Sequence, residues 1–227
     1  MRRFLSYLKR LWATDIALTS LMIFLLIYIL FLFPLRQIGF GRVLTTLFAS
    51  LILITGAFAA TKNRIFRTLV LSGGLLSLVL LWARPLFPYQ NYIFVTTCLS
   101  LIFMVLLTLL ILVQAFREGP ITYHRITGAV AAYLLLGLIW SHAYYLIALW
   151  APETFIVQGS FTPGDTESLQ SHLFYFSFIT LTTIGYGDIV AVHPMARMLV
   201  ILEGITGQLF PAILIGRLVS LHVQSKQ

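Results

Sequence analysis

Long apolar blocks separated by short charged punctuation set the pattern of this chain. The first runs from Ile16 to Leu35 between Asp15 and Arg36, the second from Val43 to Thr61 between Arg42 and Lys62. A third, Thr68 to Ala83, is flanked by Arg67 and Arg84, whose long stems can snorkel to an interface. The fourth lies within Asn91 to Phe116, after a break at Pro85 and Pro88. The fifth runs from about Ile126 to Trp150, and the sixth from about Met198 to Gly216. A bilayer core of about 30 Å takes roughly 20 apolar residues per helix, so the pattern predicts six membrane-spanning helices. Only the segment Ala151 to His193 breaks it, with most of the acids and a cluster of glycines.

Composition strengthens this picture. The chain is 59% hydrophobic and 10% charged, where soluble domains carry about a quarter charged residues, which excludes an ordinary soluble protein. The opening MRRFLSYLKR has the charge of a secretory leader. The apolar block after it is too long for one and no small-residue cleavage site follows, so it reads as a retained first span. Cys98 is the sole cysteine, which rules out an intrachain disulfide and leaves a packing role in the fourth span.

Six spans put both termini on one side. Arg2, Arg3, Lys9, Arg10, Lys62, Arg64, Arg67, Arg117, Arg125, Arg217 and Lys226 fall there, against Arg36, Arg42, Arg84 and Arg197 opposite. The positive-inside rule then makes both termini cytoplasmic. Basic cytoplasmic edges account for the net charge of +8, so no nucleic acid is expected as a partner. Glu153, Asp165, Glu167 and Asp188 fall outside, where acids concentrate cations or are plain loop charges. Lipid is an expected partner, with no soluble ligand inferable.

Within the exceptional segment stands Thr182-Thr183-Ile184-Gly185-Tyr186-Gly187-Asp188. This resembles the potassium-channel selectivity-filter signature, with Ile in place of the commoner Val. A filter of this kind replaces the water around a dehydrated cation with a narrow column of oxygens. The resemblance implies that the carbonyls of Thr183, Ile184, Gly185 and Tyr186 and the Thr183 hydroxyl supply them. It also implies that Gly187 completes the loop and that Thr182 and Asp188 support it. Aiming successive carbonyls at one axis needs backbone angles that glycine supplies at Gly185 and Gly187, while Ile184 faces away and stiffens the strand. The preceding Ser171 to Thr182 is apolar but too short to cross, and reads as a re-entrant helix whose negative end favours a cation. Tyr175 and Phe176 stand where related channels carry aromatics that brace the filter tyrosine, here Tyr186. One filter copy supplies a quarter of a ring, which implies a homotetramer.

The expected fold is therefore an all-α membrane protein: six transmembrane helices, a re-entrant pore helix and filter loop, and a tetrameric pore. Residues 1–125 form a four-helix domain laid out like a voltage sensor, and residues 126–227 the pore domain. In the sixth span, Pro211 lacks an amide proton and frees the Gly207 carbonyl, so glycine and proline coincide at one bend. By resemblance Gly207 is at the position of a gating hinge; a fixed kink is the alternative. Ile215 is a candidate constriction near the cytoplasmic mouth. Glu203, the acid inside a span, is a functional hypothesis by default. Support of the filter from behind, a permeation or proton-sensing role, and an interfacial position all remain open for it.

His172 and His193 flank the filter and read as capping or interfacial residues, and His142 as an interhelical hydrogen bonder. No second ligand stands at metal spacing, so no metal is expected beyond permeant K+, and no cofactor. Nor is there a His-Glu-x-x-His motif or a nucleophile and base pair, so no enzyme is expected. The fourth block has no Arg or Lys, where voltage sensing needs several charges at about 2.3 kcal/mol each per 100 mV. The function expected is passive, potassium-selective conduction without strong voltage gating. A poorly selective monovalent cation channel, a transporter subunit and a non-conducting regulatory subunit are the alternatives. Small size and the short tail after the sixth span, with no room for a ligand-binding gate, suggest a prokaryotic plasma membrane.

Overall fold

The computed structural model describes residues 18–32, 39–60, 64–83, 86–87, 89–116, 123–151, 153–158 and 166–224. The first helix, α1, spans residues 18–32 and ends in a π-helical turn, Tyr28–Leu32. It is followed by α2 (Gly39–Ala60), α3 (Arg64–Ala83), α4 (Gln90–Ala115), α5 (Tyr123–Trp150), β1 (Phe155–Val157), α6 (Thr166–Leu181), β2 (Ile189–Ala191) and α7 (Pro194–Gln224). Three of these carry stretches long and apolar enough to cross a membrane: Gln90–Val113, Arg125–Trp150 and Pro194–Arg217. Leu18–Phe31, Val43–Gly56 and Val70–Ala83 are shorter apolar helices. The chain is thus a mostly helical, multi-pass membrane protein. The first and last few residues of the expected first span lie outside the described residues.

The middle of the fold is α5, which packs against α4, α6 and α7, while α2 packs against α3 and α4. Small residues make this possible. Ala131 and Ala132 are fully buried on α5 beside Leu107 and Ile111 of α4, in a core that also takes in Leu21, Leu25, Ile52 and Phe174. Between membrane helices water supplies no hydrophobic drive, so close backbone approach and dispersion carry the association. A second cluster, nearer the β-strands, joins Tyr144, Tyr145 and Leu149 of α5 to Leu173 and Phe176 of α6 and Ile189 of β2.

Three boundaries differ from expectation, because apolarity alone does not set where a helix starts and stops. The re-entrant helix starts at Thr166, a turn earlier than Ser171, since Glu167, Leu169 and Gln170 favour helix though they are not all apolar. The last helix runs from Pro194 to Gln224, beyond both ends of its apolar block. Proline fits its first turn, where no amide proton is required, and His193 caps it: Met195 N–H donates to His193 Nδ1 at 3.3 Å. The two strands were not foreseen. They pair antiparallel, with Phe155 opposite Ala191, Ile156 opposite Val190 and Val157 opposite Ile189.

Candidate functional site: a capped pore loop

The loop Thr182–Asp188 joins the C-terminal end of α6 to β2. Leaving the helix, it closes the last turn with two backbone bonds: Thr183 N–H to the Thr180 carbonyl at 2.9 Å and Ile184 N–H to the Ile179 carbonyl at 2.9 Å. This is a Schellman cap, which requires its C′ residue in the left-handed region. That residue is Thr183, at φ +58°. A β-branched residue there is disfavoured by about 1–2 kcal/mol, which is why sequence reading assigned left-handed backbone to the glycines only. Gly185 at +55° and Gly187 at +79° follow, so positive φ recurs at every second residue from 183 to 187. Such alternation turns successive peptide units the same way, as a column of carbonyl ligands needs.

The remaining carbonyls of the α6 terminus are also satisfied. Phe178 accepts from Thr182 N–H at 3.1 Å and from the Thr182 hydroxyl at 2.6 Å, and Leu181 accepts from the Tyr133 hydroxyl of α5 at 3.1 Å. Four helix-end acceptors that would otherwise be orphaned are thereby occupied. Beyond the loop, β2 is held by β1, by the Arg197 guanidinium (Nε to the Ala191 carbonyl, 3.1 Å) and by Gln158. The Gln158 backbone N–H donates to the Asp188 carbonyl at 2.8 Å and its side-chain amide to the Gly187 carbonyl at 3.4 Å. The loop is pinned at both ends.

Residues 182–187 are exposed within the single chain, Tyr186 at 72% and Ile184 at 55%. Tyr175 lies close to Asp188. Phe176 is buried, with its ring 5.2 Å from Tyr144 and 5.5 Å from Phe155.

Glu203 is fully buried in α7. Its carboxyl meets the Tyr144 hydroxyl of α5 at Oε2 and the Ser177 hydroxyl of α6 at Oε1, the latter at 2.6 Å. The acid therefore ties α5, α6 and α7 together. Sequence reading found Glu203 but not Ser177 or Tyr144 as its partners, because residues 26 and 59 positions away carry no local signal. Four residues further along, Gly207 is buried against the end of α6: a β-carbon there would come within 1.9 Å of the Leu181 oxygen. Its first requirement is thus close approach. Pro211 lies inside the unbroken α7 and Ile215 is exposed. Phe210, beside the proline, stacks on Tyr133 at 5.5 Å.

His142, His172 and His193 make local hydrogen bonds. His172 Nδ1 bonds the Ser168 carbonyl and His142 Nδ1 the Leu138 carbonyl, each at 2.8 Å. His142 also lines a cavity of about 80 Å³ with Gln170, Thr45, Ser77, Thr96 and Thr97.

An ion-channel family matches residues 132–224, from the middle of α5 to the end of α7. Two-pore potassium channel 4 of Arabidopsis thaliana is 42% identical over 64 residues, covering 28% of this chain and 22% of that protein. Potassium channel subfamily K member 18 of Mus musculus is 63% identical over 30 residues, 13% of this chain and 8% of that protein. The chain thus spans about a fifth of the first relative and under a tenth of the second. No solved structure matches it significantly. The capped loop between α6 and β2 lies inside the stretch that matches an ion-channel family, and potassium channels are among the proteins that this stretch resembles.

Proposed function

We propose that four copies of this chain surround one pore and conduct K+ passively and selectively across the membrane. The observation that carries this reading is the alternation of positive φ at Thr183, Gly185 and Gly187, on a loop pinned at both ends. Carbonyls of Thr183, Ile184, Gly185 and Tyr186, with the Thr183 hydroxyl, replace the hydration shell. Gly187 and Asp188 end the column.

Three features support the tetramer. Irregular backbone at membrane depth is tolerated only when protein or a water-filled path covers it, and in one chain residues 182–187 lie open. Asp188 has one buried carboxylate oxygen, Oδ1, without a partner inside the chain. Met198, Ile201, Leu202, Ile205 and Leu209 of α7 are exposed, a face for neighbouring copies and lipid.

In this reading residues 1–125 form a four-helix unit, completing six spans, and 126–227 the pore unit. Both termini are cytoplasmic and the setting is a prokaryotic plasma membrane. The upper part of α7 is held by Glu203 and Gly207, so the moving part of the gate lies below, bending at Pro211 and narrowing at Ile215. With no basic residue in α4, the field has little to move there.

Purified protein in liposomes tests this. Potassium flux blocked by barium and far larger than sodium flux is expected. Equal sodium and potassium flux would instead mean an unselective cation channel, and no flux from folded tetramers a regulatory subunit.

A further inference from the structure

We infer that Glu203 holds a resident proton, which completes a directed hydrogen-bond chain running from α5 through α7 and α6 back to α5. The argument is a proton count. Ser177 Oγ lies 2.6 Å from Glu203 Oε1 and 2.8 Å from the Gly137 carbonyl oxygen. A hydroxyl owns one proton, and both a carboxylate and a carbonyl only accept. With Glu203 ionised, one of those two short contacts would set lone pair against lone pair. A proton on Oε1 removes the conflict. Tyr144 then donates to Oε2, Glu203 donates from Oε1 to Ser177, and Ser177 donates to Gly137, so three protons make three bonds.

The surroundings agree with the count. Glu203, Tyr144 and Ser177 are each fully buried, and the rings of Phe155 and Phe176 close over Tyr144. The ionisable groups facing Glu203 are phenols of α5, Tyr144 and Tyr133. From α6 it receives Ser177, and β1 brings the apolar Phe155 against its partner Tyr144. On its own helix, Arg197 is engaged with the Ala191 carbonyl. Among the described residues no cation stands against this carboxyl to offset its desolvation, whereas the neutral acid satisfies every partner. The proton therefore helps clamp α6, and with it the capped loop, against α5. Alkaline deprotonation would turn Ser177 to the carboxylate and release Gly137.

Infrared difference spectroscopy of the full chain in lipid tests the proton without any flux. Wild type minus Glu203→Gln at neutral pH should show a protonated-carboxyl C=O stretch above the amide I band, shifted down in D2O. A carboxylate stretch in its place overturns the inference. Should Glu203→Gln fail to fold, wild type with 13C in its glutamate side-chain carboxyls gives the same reading, because the isotope moves that band. The consequence for conduction rests on the channel reading and is measured separately. Wild-type potassium flux should be lost on alkalinisation, while Glu203→Gln, a neutral mimic, should keep its flux. Equal alkaline loss in both refutes the clamp's role. An acid band in a chain that carries no potassium would sustain the proton assignment and refute the channel reading.

Discussion

Gly207→Ala puts the locking of α7 against the pore loop to a quantitative test. A β-carbon at this position would stand 1.9 Å from the Leu181 oxygen, 2.8 Å from its carbon and 3.1 Å from its Cα, where ordinary contact begins at 3.4 Å. The shortfall, 3.4 less 1.9, is 1.5 Å, and the atoms in the way are backbone. The two helices must therefore part. Leu181 also accepts the Tyr133 hydroxyl, so parting strains that bond. Glu203 sits four residues away, about 6 Å along the same face, so its bonds to Ser177 and Tyr144 stretch as well. Overpacking costs about 1–3 kcal/mol, and three weakened, not broken, hydrogen bonds add about 0.5 kcal/mol each. A loss of roughly 2–5 kcal/mol should lower the melting temperature of the solubilised protein by about 5–15 °C. Potassium flux should fall with it. Gly204→Ala is the control, since its β-carbon meets nothing within 4 Å in the chain and alanine favours helix by up to about 1 kcal/mol. If Gly207→Ala melts and conducts like wild type, α7 is not locked against α6 and the reasoning fails.

Gly185→Ala should abolish selective potassium flux while tetramers still assemble on native gels. At φ +55° the added methyl meets no neighbour within 4 Å, so its cost of about 1–2 kcal/mol is purely backbone; undiminished selective flux would remove Gly185 from the pore. Thr183→Gly should keep or raise thermal stability, because glycine is the favoured C′ residue, yet lose selectivity with the hydroxyl and the stiff side chain. A clear fall in melting temperature would contradict the cap. Open probability should vary weakly with voltage, and a steep conductance–voltage curve, equivalent to several charges per channel, would refute the role given to α4.

The apolar helices, the loop after α6 and the buried acid were legible because each has a local signature: an apolar block, a glycine-spaced motif, a charge where none belongs. What escaped depends on residues far apart in the chain. The strands β1 and β2 are three residues each and separated by the whole of α6, so no hairpin turn announces them. Ser177 and Tyr144 look like ordinary polar residues of apolar helices until folding brings them to Glu203. Gly207 in sequence suggests flexibility, and only the packing of α7 on Leu181 reveals it as a contact residue. Thr183 went unremarked as a left-handed residue because its type argues against the conformation that the Schellman cap imposes.

The central claim, that residues 183–187 of four copies form a potassium-selective column, is tested most directly by the reversal potential of single channels of the purified protein in a planar bilayer. With potassium on one side and sodium on the other, the account predicts current that reverses close to the potassium equilibrium potential and disappears on adding barium. Current reversing near zero under the same gradient would contradict it.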